Sequence, residues 1–202
     1  MLDILYAAGW PIWPLVGLSV VGLALIIERF LSLRGSQVFP PALPGHVLEM
    51  IRQNNDSQES VLRLANSSPL GRVLAEVIAT RDEPESARQA AIEDVGIDVA
   101  HRLSRYLPAL GTIAVVAPLM GLLGTVVGMI DIFASYTPRG GDPALLARGI
   151  SIALYNTGFG ILIAIPALIF HRYFRSRVHH YLHRMEREAH ALNRLLARRT
   201  RS

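Results

Sequence analysis

Apolar residues dominate three stretches of the chain, residues 4–27, 106–130 and 149–170, and none of the three contains an acidic, basic or histidine side chain. Crossing a hydrocarbon core of roughly 30 Å takes about 20 helical residues at 1.5 Å each, and every stretch is long enough. A helix buried in a soluble domain seldom runs so far without a charge. The pattern predicts an all-α integral membrane protein with three transmembrane helices. The first stretch has no basic residues ahead of it and runs past signal-peptide length into Glu28 and Arg29, so it is expected to stay on the mature protein.

Between the spans the pattern changes to amphipathic. Pro40, Pro41 and Pro44 break the chain, after which residues 46–53 and 58–65 read as short helices. Pro69 and Gly71 interrupt again before a helix over 71–81. Beyond Pro84, Ile92, Val95, Val99, Leu103 and Tyr106 recur every three or four residues and form one apolar stripe that leads into the second span. The chain after the third span repeats the device with Val178, Tyr181, Leu182, Met185, Ala189, Leu192 and Leu196. Two membrane helices are therefore expected to extend into the cytoplasm as long amphipathic helices. Their apolar faces call for partners, so a homo-oligomer is expected, with a self-contained bundle as the alternative.

Arginine placement orients the chain, because short basic flanks stay in the cytoplasm. Residues 171–202 carry nine arginines, from Arg172 to Arg201, whereas the connection between spans two and three offers only Arg139 and Arg148 against Asp131 and Asp142. The expected organisation is a periplasmic N-terminus with the first transmembrane helix over 1–33 and a cytoplasmic helical domain over 34–105. The second span follows over 106–130, a periplasmic loop over 131–148, the third span over 149–170, and a cytoplasmic C-terminal helix over 171–202. Trp10 and Trp13 fit as anchors at the outer end of the first span.

The polar residues inside the spans are few. Span two holds Gly121, Gly124, Thr125 and Gly128, small residues that let helix backbones approach closely in lipid. Span three holds Ser151, Tyr155, Asn156 and Thr157, then Gly158, Gly160 and Pro166, a polar cluster followed by a kinkable stretch. Helix packing is expected at these glycines and at Pro166. The Asn156 amide must face inward, away from hydrocarbon. At 1.5 Å per residue, Thr125 lies roughly 9 Å and Thr157 roughly 12 Å from the outer end of their spans. The two hydroxyls can sit at one level and form a polar patch able to receive an ionisable side chain. The plainer reading is that each hydroxyl bonds a carbonyl of its own helix. Neither span carries an Asp, Glu, Lys, Arg or His, so any proton-bearing carboxylate must come from another subunit.

Composition narrows the chemistry. The 202 residues include no cysteine, which removes thiolate metal sites and cysteine nucleophiles, and all 20 basic residues are arginine. His171, His179, His180 and His183 resemble a metal cluster, but on a basic amphipathic helix they read as interfacial side chains. No metal, cofactor or enzymatic activity is expected. Glu28 and Asp131 read as interfacial charges, Glu28 being neutralised by the adjacent Arg29.

Residues 121–130, Gly-Leu-Leu-Gly-Thr-Val-Val-Gly-Met-Ile, resemble the second-span signature of the MotA/TolQ/ExbB proton channel family in its ExbB-type members. Gly149-Ile-Ser-Ile-Ala-Leu, Asn156-Thr-Gly-Phe-Gly and Ala164-Ile-Pro-Ala resemble the third, and Trp13-Pro-Leu and Ile27-Glu-Arg-Phe fit the first. The resemblance implies a pentamer in the bacterial inner membrane around an ExbD-like one-span subunit whose membrane Asp carries the proton. It also implies work on a TonB-like protein for outer-membrane import. TolQ-like service in the Tol-Pal envelope system and a non-conducting scaffold are the alternatives. Thr125 and Thr157 match the family's proton-path threonines, with Asn156 beside them. One departure is Ile152, where several relatives carry an acidic residue.

Overall fold

A computed structural model describes residues 10–53, 55–134 and 143–199, with the side chains of residues 143, 145, 146, 148, 152, 198 and 199 outside the description. Among the described residues the chain is all-helical. In order come α1 (Ile12–Ser32), α2 (Gly35–Val38), α3 (Leu43–Arg52), α4 (Gln58–Ser67), α5 (Pro69–Ala79), α6 (Glu85–Leu103), α7 (Leu107–Ala134) and α8 (Pro143–Arg199). Helices α1, α7 and α8 are long and apolar enough to cross a membrane. Most of the expected periplasmic loop, with Arg139 and Asp142, lies outside the described residues, as do the side chains of Arg148 and Ile152.

The chain divides into two compact units. One comprises Met1–Glu28 and Tyr106–Tyr173, the other Arg29–Arg105 and Phe174–Ser202. In the first unit, Leu15, Ala117 and Ala164 form a buried cluster to which α1, α7 and α8 each contribute one residue. Prolines interrupt the hydrogen-bond ladder of α7 at Pro118 and of α8 at Pro166, yet both helices continue through them. Membrane helices tolerate such residues when neighbours re-satisfy the freed carbonyl. Pro166 lines a groove of about 330 Å³ beside Leu15, Leu23 and Ile26 of α1. The outward side chains, among them Val20, Leu23, Leu119, Leu122, Leu162 and Ile169, are large and apolar, as a lipid-facing surface requires.

The second unit is built on different residues. Ser57 caps α4 by accepting from the Ser60 amide, and Ser68 caps α5 by accepting from Gly71. Pro69, the first residue of α5, has no amide to lose there. Leu70, Val73, Leu74, Val77 and Ile78 of α5 are all buried at 3% exposure or less. The tail of α8 buries Phe174, Val178, Tyr181, Met185, Ala189, Leu192 and Leu196 along one face, while Leu182 is half-buried. The Tyr181 hydroxyl donates to the Leu33 carbonyl at 3.2 Å, and Phe30 meets the Phe174 ring edge-on at 5.0 Å.

The backbone departs from the expected course before span two. The stripe from Ile92 to Tyr106 does not continue as one helix, because α6 ends at Leu103 and a turn over residues 104–106 separates it from α7. Pro108, the second residue of α7, explains the break: it has no amide to donate, and its ring clashes with the carbonyl four residues back, that of Ser104. The last turn of α6 is held from the side. Arg29 is only 3% exposed, and its guanidinium donates from Nη1 to the Leu103 carbonyl at 3.0 Å. A cation at a helix C-terminus also favours the helix dipole. Arg29 is thus a buried structural residue and not the exposed boundary charge its place beside Glu28 suggests.

Candidate functional site

Within the first unit α7 and α8 approach backbone to backbone. A Cβ on Gly121 would stand 2.7 Å from the Asn156 carbonyl oxygen and 3.0 Å from the Thr157 Cα. One on Gly160 would stand 2.5 Å from the Ala117 carbonyl oxygen. Real side chains do not occupy such distances, so glycine is required on both helices. Gly128 sits two turns beyond Gly121, 3.3 Å from the Ala153 methyl by the same measure. Spacing of small residues every three to four positions produces this seam, since it places them on one helix face.

Asn156 lies in the seam, 1% exposed, with its side chain against Gly124. A Cβ at Gly124 would come within 2.6 Å of the Asn156 Cβ and 2.9 Å of its amide nitrogen. The inward-facing amide is therefore a property of the pair: Gly124 opens the space that Asn156 fills.

Thr157 reaches across the seam. Its hydroxyl donates to the Gly121 carbonyl at 3.2 Å, and the side chain is half-buried. In an α-helix that same carbonyl accepts the amide of the residue four positions on, which is Thr125. The two threonines thus converge on one carbonyl and sit at one level. Their hydroxyls are not directed at each other, because Thr125 donates to Leu122 of its own helix at 2.7 Å. For Thr125 the local bond is what forms, and for Thr157 the cross-helix bond.

The expected packing residues divide. Gly121, Gly124, Gly128 and Gly160 lie at the helix contact, and Pro166 lies beside α1. Gly158 does not pack: it is exposed, and nothing stands within 4 Å of the place its Cβ would take. Two residues before Gly160 on a helix, it points to the opposite side. Ser151 and Tyr155 are likewise exposed, with the Ser151 hydroxyl donating to the Ala147 carbonyl at 2.9 Å.

One further contact escapes a reading by motif. At the other end of the same unit the His171 ring lies over Gly111, where a Cβ would stand 3.1 Å from Nε2. A lone glycine in α7 facing the first aromatic residue after Phe170 gives no sequence signal, since the two are 60 positions apart. Among the described residues no group of three His, Cys, Asp or Glu side chains is placed to hold a metal ion.

The chain can be compared with known proteins on this geometry. The model of the MotA/TolQ/ExbB proton channel family matches residues 65–187, which takes in the whole α7–α8 seam. An ExbB-like biopolymer transport protein of Synechocystis is 31% identical over 166 residues, covering 81% of this chain and 79% of that protein. The biopolymer transport protein exbB1 of Vibrio cholerae is 32% identical over 161 residues, 77% of this chain and 71% of that one. The Tol-Pal system protein TolQ of Pseudomonas aeruginosa is 38% identical over 77 residues, 38% of this chain and 33% of its own length. With three helices fit to span a bilayer and a family model covering the seam where two of them meet, the chain belongs to the MotA/TolQ/ExbB proton channel family.

Proposed function

We propose that this chain is the ExbB-like stator subunit of an inner-membrane complex that converts proton motive force into mechanical work on a TonB-like protein. The observation that carries the reading is the chemistry of the seam. Residues 106–130 and 149–170 offer buried and half-buried polar groups, Asn156 and Thr157, but no Asp, Glu, Lys, Arg or His to carry a proton through the span. The acid must arrive on a partner, an ExbD-like one-span subunit with a membrane Asp, received by a ring of copies, five if the family's arrangement holds. Thr157, Thr125 and Asn156 then line or position the path. Two of the ExbB-named relatives match over more than three quarters of this chain, which favours this service. The N-terminus is periplasmic and the C-terminus cytoplasmic, as the arginine bias requires. Each proton crossing 100 mV releases about 2.3 kcal/mol, so several suffice for a mechanical step.

Replacing Thr157 with Val removes the hydroxyl at nearly constant volume, whereas Thr157→Ser keeps it. TonB-dependent iron-siderophore uptake is expected to fall about tenfold, equivalent to about 1.4 kcal/mol, in the Val variant and to be largely retained with Ser. The amount of assembled complex should stay normal in both. Normal uptake by the Val variant overturns the role given to this hydroxyl. The TolQ match supports a second reading, service in the Tol-Pal envelope system. It predicts that loss of the chain impairs outer-membrane integrity and leaves siderophore uptake intact. A passive scaffold predicts no partner-dependent proton flux in liposomes.

A further inference from the structure

The second unit presents two faces of opposite charge that do not meet within one chain. On α6, Glu93 and Asp94 are exposed together with Ile97, whose side chain is 51% exposed. Neither acid has an ion-pair partner among the described residues. The neighbouring Asp98 is already joined to Arg72 at 3.1 Å. On α8, Arg187 and Arg194 are exposed, seven residues apart on one face, and no ion pair engages them among the described residues. Their neighbours are occupied: Arg184 lies over the Phe39 ring at 3.9 Å and Arg177 over Tyr181 at 5.6 Å. Glu186 lies near His183 and His190, at 3.7 and 3.9 Å.

The reason the two faces miss each other is visible in the groove between the helices, a space of about 570 Å³. Its walls are residues between 89 and 100 of α6, Glu93 and Ile97 among them, residues between 179 and 193 of α8, and Val73 of α5. Counted along each helix, Glu93 and Asp94 fall near the middle of the α6 wall and Arg187 near the middle of the α8 wall. At 100° per residue, however, Arg187 and Arg194 are turned roughly a quarter to a third of a turn from the middle of the α8 wall, just past His183 and His190 at its lip. Asp94 is turned outward from the α6 wall in the same manner. The arginines lie outside the groove that Glu93 lines, and no ion pair joins them to it among the described residues.

We infer that the Glu93–Asp94–Ile97 face of α6 docks against the Arg187–Arg194 face of α8 of a second copy of this chain. The inference rests on the homo-oligomer of the proposed function and names its surface outside the membrane spans. All copies insert in the membrane in one sense, so a neighbour is displaced sideways and the level match is preserved. The contact uses different patches on the two copies, and a head-to-tail contact of that kind gives a ring when the rotation between copies closes. Exposed ion pairs contribute little energy individually, so their role here is register and choice of partner, with burial of Ile97 adding affinity.

Because the natural sequence has no cysteine, single cysteines report the contact cleanly. Full-length Asp94→Cys and Arg187→Cys chains with different tags are co-expressed and oxidised in native membranes. A mixed disulfide is expected between them, absent when either is expressed alone and several-fold weaker in about 1 M salt, where screening shortens to about 3 Å. A second arm reverses charge: Glu93→Arg with Asp94→Arg, or Arg187→Glu with Arg194→Glu, is expected to loosen the solubilised oligomer in native mass spectrometry. Combining the two sets is expected to restore it. Failure of the mixed disulfide overturns the inference, as does failure of the combined exchange to restore assembly. If the disulfide is absent and Arg187→Glu with Arg194→Glu abolishes binding to phosphatidylglycerol vesicles, the arginine face serves the membrane surface instead. A mixed disulfide in a complex without proton response would sink the stator reading and leave this interface standing.

Discussion

In the unit formed by residues 1–28 and 106–173, α7 and α8 meet at Gly121, Gly124 and Gly160, whereas in the unit of residues 29–105 and 174–202 the most buried positions are Leu70, Leu74, Val77 and Phe174. The contrast follows from the solvent each is built for. Lipid tails are as apolar as leucine, so large side chains gain nothing by leaving them for a helix contact. Close backbone approach and interhelical hydrogen bonds carry the association instead. Where water surrounds the helices, each buried leucine contributes about 1.5–3 kcal/mol by leaving it. Hence one interface is made by removing side chains and the other by adding them.

That contrast can be broken at four places, with decreasing effect. Leu74→Ala in the fully packed α5 is expected to destabilise the chain by about 2–5 kcal/mol, seen as a lowered thermal midpoint of the purified protein. Arg29→Met removes a buried charged donor from the end of α6 and should cost about 1.5–3 kcal/mol. Hydrogen exchange should then quicken at residues 104–106, and Arg29→Lys should recover part of the protection. Gly124→Val drives a side chain into Asn156 and is expected to cost about 1–3 kcal/mol, with loss of assembled complex as the readout. Gly158→Ala meets open space in this chain, so the fold should change by less than about 0.5 kcal/mol. A large effect of Gly158→Ala on assembly alone would place that face at a contact between chains.

Much of this was legible in the sequence because the signals are local. Uncharged runs mark α1, α7 and the first part of α8. Pro69 and Pro84 mark the starts of α5 and α6 within a residue or two of where they form. The seam glycines follow from spacing, and the inward Asn156 from the cost of turning an amide toward hydrocarbon. What spacing could not supply was which glycine meets a partner: Gly158 and Gly160 look alike in a motif but face opposite sides. The same limit applies to long-range bonds. Arg29 to Leu103 spans 74 positions and Tyr181 to Leu33 spans 148, and no periodicity encodes either. The α6–α7 break was hidden by a stripe that stays in phase across it, although Pro108 carried the contrary signal.

The pose of the Thr157 hydroxyl has a directional consequence. A hydroxyl owns one proton and two lone pairs, and here the proton is committed to the Gly121 carbonyl. What remains on the oxygen can only accept. A neutral carboxylic acid, which has a proton to offer, is welcomed by that oxygen as it stands, while an anionic carboxylate is met only after the hydroxyl lets go of its carbonyl. In the proposed stator the side chain would therefore sort the two charge states of a partner's acid by whether α7 and α8 must first give up a bond between them.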